Sequence, residues 1–97
     1  MNIIYMLENK QKQKFYIGQK VECRIEKING LRTIINNKTE LPYYGSSSSI
    51  EMQRDLLTDK FEAHILEIVN DKTKMCEREQ YYIRQHKAVE LDTYYNL

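Results

Sequence analysis

Ile3 to Leu7 form a compact apolar run and Phe15 to Ile17 form another, separated by the polar tract Glu8 to Lys14 with Asn9 in turn position. This predicts a β-hairpin with a loop longer than the two-residue minimum, its second strand ending at Gly18. Val21, Cys23, Arg24, Ile25 and Ile28 then fall at roughly helical spacing before Asn29-Gly30, a C-terminal stop signal, so Val21 to Ile28 is expected to be a short helix. Leu31 to Gly45 has no clean period, contains Asn36-Asn37 and Pro42, and runs into the polar Ser46 to Ser49. It is expected to be a surface loop and the most mobile part of the chain.

Ser48 followed by Glu51 has the form of a capping box, and Ile50, Met52, Leu56 and Leu57 give a second helix an imperfect apolar face. Phe61, Ala63 and Ile65 alternate with Glu62 and His64 ahead of Leu66 and Ile68, which predicts a third strand buried on both faces towards its end. Asn70-Asp71 offers an N-cap to a last helix over Lys72 to His86, with Met75, Glu79, Tyr82, Ile83 and His86 on one side. The order strand, strand, helix, helix, strand, helix describes an α+β fold, a small antiparallel three-stranded sheet flanked by helices, in one domain over residues 1–97.

Length and composition narrow this little further. At 97 residues, 41% hydrophobic and 30% charged, the chain can fold as one small core and does not have the signature of disorder. No apolar run approaches a membrane span and no cationic leader precedes a hydrophobic block, so a cytoplasmic protein is expected. Cys23 and Cys76 lie too far apart for a close-paired zinc spacing and read as free thiols. A net charge of +1 argues against tight autonomous binding to nucleic acid, without excluding a locally basic cleft.

Candidate chemistry centres on Glu79, an acid within the apolar stripe of the last helix, where it needs a pairing partner, hydrogen bonds or a metal. Pairing with Arg78 or Arg84, or an outlet to solvent, would satisfy it structurally; Glu77 is a second acid on a different face. Tyrosine is over-used, with eight against two Phe and no Trp. Tyr5 and Tyr16 can share one face of the hairpin and bring their hydroxyls together, or serve as core aromatics with polar tips. His64 reads as an outward strand residue and His86 as a helix C-terminal cap. No histidine cluster of HNH type is present, and no Gly-x-Ser-x-Gly turn.

Ile3-Ile4-Tyr5 and Tyr16-Ile17-Gly18, with tyrosines eleven positions apart, resemble the two half-motifs of the GIY-YIG nucleases. Ser48 to Glu67 resembles the second helix and third strand of phage homing endonucleases of that family, and Tyr43-Tyr44-Gly45-Ser46-Ser47 resembles a block that precedes them. Glu77 to Ile83 resembles the metal-ligand helix, whose ligand stands three residues before an aromatic-Ile pair and so falls on Glu79; Tyr94-Tyr95-Asn96 matches the closing Tyr-Asn.

The resemblance implies a metal-dependent endonuclease that hydrolyses phosphodiester bonds in DNA, with Mg²⁺ or Mn²⁺ on Glu79. Tyr5, Tyr16 and Arg24 are the implied catalytic partners, and Gly18, Lys20, Arg32, Ser47, Arg54 and Asn96 the implied substrate contacts. Two positions depart from the pattern: Ile3 stands where the first motif glycine belongs, and Glu26 where the arginine is expected. Arg24 is the nearest substitute, with Arg32 and Arg54 behind it. A phage or bacterial-host cytoplasm is implied, and so is specificity from a homodimer, from the Leu31 to Gly45 loop or from a separate recognition partner. The alternative is a catalytically impaired module of the same fold that binds nucleic acid or protein.

Overall fold

A computed structural model describes residues 1–97. Strand β1 (Ile3–Asn9) is central in a three-stranded antiparallel sheet, with β2 (Lys14–Lys20) on one side and β6 (Phe61–Ile68) on the other. The hairpin is tightened by Asn9, whose side-chain oxygen accepts from the Gln11 and Lys12 amides at 3.0 and 3.1 Å. β1 is covered on both faces, which explains its continuous apolar run. Ile3, Tyr5 and Leu7 pack with Cys23, Ile34 and Met52, while Ile4 on the opposite face packs with Ile17, Val69 and Met75.

The expected helix over Val21 to Ile28 and the loop after it are instead strands. β3 (Cys23–Ile28) and β4 (Leu31–Asn36) form a hairpin, joined by the short β5 (Pro42–Tyr43) in a second antiparallel sheet of order β3-β4-β5. Asn29-Gly30 is the hairpin's two-residue turn, with φ of 53° and 81°, and Ile28 pairs with Leu31 across it. Asn-Gly suits such a turn as well as it ends a helix, and two successive positive φ values are what a tight hairpin requires. The supposed mobile loop buries Thr33, Ile34 and Ile35. The fold is therefore α+β with two three-stranded sheets, not one.

Helix α1 (Ile50–Thr58) is capped by Ser49, whose hydroxyl accepts from the Met52 amide at 3.2 Å. The Ser48–Glu51 capping box is not formed, and Glu51 pairs with Lys14. Only part of the expected apolar face is used: Met52 is buried, but Ile50 and Leu57 are 66% and 85% exposed. β6 is buried at Phe61 and Ala63, yet Ile65 and Ile68 are exposed, so its far end is not covered on both faces. Asp71 caps a 3₁₀ turn (Lys72–Lys74) that leads into α2 (Met75–Gln85), and His86 is the C-cap of α2, as expected of a residue at that helix end. Cys23 and Cys76 are free thiols.

A buried polar network ties α1 to the end of the chain. Asp55, 4% exposed, accepts from the Tyr95 hydroxyl at 2.6 Å and from Lys12, and the Tyr95 oxygen accepts from Asn9 at 3.0 Å. Asp55→Ala leaves the Tyr95 hydroxyl without its acceptor and should cost about 2 kcal/mol in urea unfolding near neutral pH. The bond from Lys12, then that from Tyr95, hold the Asp55 carboxyl below its ordinary value. Its contribution is complete above the unfolded-state pKa and is lost as pH falls through the lower folded-state value, so the gap between wild type and variant should close in acid.

Candidate active site

β2 is an edge strand, and its outer side is partly sealed by the chain's end. The Phe15 amide donates to Thr93 O at 2.9 Å, the Tyr95 amide donates to Phe15 O at 2.7 Å, and the Asn96 side chain bonds both the N–H and the C=O of Ile17 at 2.9 Å. Asn96 thus substitutes for one more residue of strand pairing, after which the edge opens towards Gly18, Gln19 and Lys20.

At that opening the tyrosines converge. Tyr5 on β1 pairs with Gly18, and a Cβ on Gly18 would lie 2.4 Å from the Tyr5 hydroxyl oxygen and 2.6 Å from its Cζ. The phenol therefore crosses the β2 backbone through the space that a missing side chain leaves. The Tyr16 ring lies 6.4 Å from that of Tyr5, and Tyr43 of β5 meets Tyr5 edge-on at 6.2 Å. Gly45 closes the group, with a φ of +86° and a would-be Cβ 3.0 Å from the Tyr5 oxygen and 3.1 Å from Tyr16 Cε2. Burial, reinforced by Tyr43 and Tyr16, pushes the Tyr5 phenol far above its ordinary pKa, so it stays protonated in the free protein.

Beside the cluster runs a cleft of about 220 Å³, lined among others by Tyr16, Ser47, Glu79, Gln80 and Asn96. Glu79 is half-buried; burial raises its pKa and the neighbouring Gln19 side chain works the other way. Its proximity to Tyr16 raises that phenol as well, second to the effect of burial. Neither arginine expected as a structural partner takes Glu79: Arg78 pairs with Glu67 at 2.8 Å, and Glu79 forms no salt bridge. A desolvated carboxylate without a cation, facing a polar cleft, is a donor set that suits one hard divalent ion.

The remaining expected site residues are dispersed. Arg24 projects from β3 on the side opposite Cys23 and Ile25, where Glu40 grips its guanidinium at 2.8 and 2.9 Å and Glu26 and Asn37 add further bonds. Arg32 is held by Glu62 and by His64 Nδ1, and Arg54 is exposed on α1. These three arginines therefore stand outside the tyrosine cluster and the cleft. Ser47 lines the cleft, but its hydroxyl accepts from the Ser49 amide and so also shapes the approach to α1. Lys20 reaches the tyrosine cluster, with its Nζ 5.1 Å from the Tyr43 ring centroid.

Sequence reasoning left Tyr43, Gly45 and Gln19 out of the site; the Tyr43-Tyr44-Gly45 block carried a signal for two of them, and nothing marked Gln19. Glu8, Glu62 and His64 also approach one another as a potential ligand group. There the charges are already met, since Lys10 bridges the two acids, Arg32 pairs with Glu62, and His64 bonds Glu8 at 2.8 Å and Arg32 at 3.0 Å.

No curated protein and no solved structure matches the chain. The family model described as "Putative endonuclease segE, GIY-YIG domain" matches residues 1–97. The chain belongs to the GIY-YIG family. The two half-motifs of the name are thus β1 and β2, and the second glycine, Gly18, has a direct structural reason in the path of Tyr5. At the first glycine position, Ile3 is fully buried and supplies core packing. Glu26, where the motif expects arginine, sits exposed on a strand and bonds Arg24. No helix is long and apolar enough to cross a membrane.

Proposed function

We propose that this GIY-YIG domain is a metal-dependent endonuclease that hydrolyses phosphodiester bonds in DNA, with Glu79 as the metal ligand. The observation that carries the reading is the half-buried, cation-free Glu79 carboxylate in a polar cleft that Tyr16 also lines, with the Tyr5 ring 6.4 Å from that of Tyr16. Glu79 would hold Mg²⁺ or Mn²⁺ there, and the ion would supply Lewis-acid neutralisation of the phosphate and of the departing oxygen.

The chain's own groups divide the rest of the work. A water oxygen forms the new bond to phosphorus and releases its proton to solvent, the bond to the leaving 3′ or 5′ oxygen breaks, and solvent returns a proton to that oxygen. Tyr5, protonated and fixed over Gly18, orients the water rather than deprotonating it unaided. Tyr16, between Tyr5 and Glu79, holds the substrate side of the cleft; Asn96 keeps β2 in register beneath it.

The homing-type reading in a phage-infected bacterial cell fits the resemblance of the helix and strand blocks. Eight of the fifteen Lys and Arg are engaged in salt bridges, which leaves few to neutralise phosphates and favours recognition shared with a second copy or a partner. The test is incubation of the purified chain with supercoiled plasmid in Mg²⁺ or in EDTA. Nicking in Mg²⁺ that chelation abolishes is expected; a folded chain that leaves plasmid intact in both would shift the reading to a binding module.

A further inference from the structure

We propose that Lys20 is the residue that neutralises the scissile phosphate, taking the part that the sequence pattern would give to an arginine. The proposal rests on the nuclease reading above and extends it to a specific cation. Hydrolysis of a phosphodiester gathers negative charge on the non-bridging oxygens, and a fixed positive donor aimed at them is a large contributor to the rate. The cation must stand beside the water-orienting tyrosines and must not be neutralised by the protein itself.

Lys20 satisfies both conditions. Alternation along β2 puts Tyr16, Gly18 and Lys20 on one face, the face that Tyr5 crosses. The Lys20 ammonium lies over the Tyr43 ring, and Tyr43 in turn meets Tyr5 edge-on. A cation–π contact orients the ammonium without cancelling its charge. It makes no salt bridge, and it stands on β2 beyond Ile17, where the pairing supplied by Asn96 ends.

The competing cations fail one condition or the other. Arg24 is clamped by Glu40 and Glu26 on the far side of β3, and Arg32 is committed to Glu62 and His64. Lys14, the other lysine on this face of β2, is paired with Glu51 and lies over Tyr95 rather than over the site. The strand conformation of Cys23–Ile28 is the underlying reason, because it turns Arg24 outward and leaves Lys20 as the cation at the cluster.

The experiment is single-turnover nicking of supercoiled plasmid in saturating Mg²⁺ by the full chain and by Lys20→Met, Lys20→Arg, Arg24→Ala and Lys27→Met. Methionine keeps the stem over Tyr43 and removes only the charge. Lys27 is an exposed lysine of β3 with no salt bridge, so its variant measures what general loss of charge does to binding. Circular dichroism confirms folding of each. Lys20→Met is expected to slow cutting by about 10²- to 10³-fold, Lys20→Arg to recover much of that, and Lys27→Met to change the rate by less than about threefold. A Lys20→Met variant that cuts at the wild-type rate, or a loss confined to Arg24→Ala, overturns the assignment while leaving the nuclease intact. A wild-type chain that does not cut removes the nuclease reading and this role with it.

Discussion

Gly18→Ala should fold and yet lose about 10²-fold or more of its nuclease activity. The new methyl group would have to occupy space 2.4 Å from the Tyr5 hydroxyl oxygen and 2.6 Å from Cζ. Tyr5 cannot simply swing away, because it is 1% exposed, flanked by the Tyr16 and Tyr43 rings, and anchored on the central strand. Either the ring is displaced or β2 shifts outward, and both change the position of the Tyr5 hydroxyl relative to Tyr16 on β2 by an appreciable fraction of an ångström. Overpacking of this kind costs about 1–3 kcal/mol of stability, while a misplacement of about 1 Å in a positioned group costs about 10²-fold in rate. The measurement is plasmid nicking at equal folded concentration, with urea unfolding alongside. A variant of wild-type activity would mean that the Tyr5 hydroxyl has no part in the chemistry.

The legible part of the fold was the part with unmixed signals. β1, β2, β6 and the last helix follow from apolar runs, alternation and spacing, and the resemblance of their motifs selects Tyr16 and Glu79, which line the cleft, and Tyr5, whose ring lies beside that of Tyr16. The segment from Val21 to Tyr43 was misread because five residues at loosely helical spacing also satisfy a strand whose inward positions are Cys23 and Ile25. Asn29-Gly30 is equally at home after a helix and inside a hairpin. Burial of Thr33, Ile34 and Ile35 is a tertiary outcome, since β4 packs against β6, an element far along the chain.

Arg24 is the arginine nearest in sequence to the motif's arginine position, two residues before Glu26, but on β3 its guanidinium is turned to Glu40. The contribution of Gln19 to Glu79, and of Gly45 to the tyrosine packing, depends on side chains meeting across different elements, and no local pattern in the sequence encodes such meetings.

Glu79 carries the central claim, and its isosteric replacement should have the largest effect of all. Glutamine keeps the volume and the cleft but removes the negative charge that would hold a divalent ion, so folding should be preserved or slightly favoured. Burial already penalises the carboxylate, with its pKa raised, and no salt bridge is lost when the charge goes. A carboxylate retained at such a cost is explained by a ligand that needs it. The most direct measurement is therefore the single-turnover rate of plasmid nicking by Glu79→Gln against wild type in saturating Mg²⁺, with unfolding curves for both. The metal-site account predicts a fall of about 10³-fold or more with unchanged or increased stability. A glutamine variant that nicks within about tenfold of wild type would contradict it and place the metal, or the chemistry, elsewhere in the molecule.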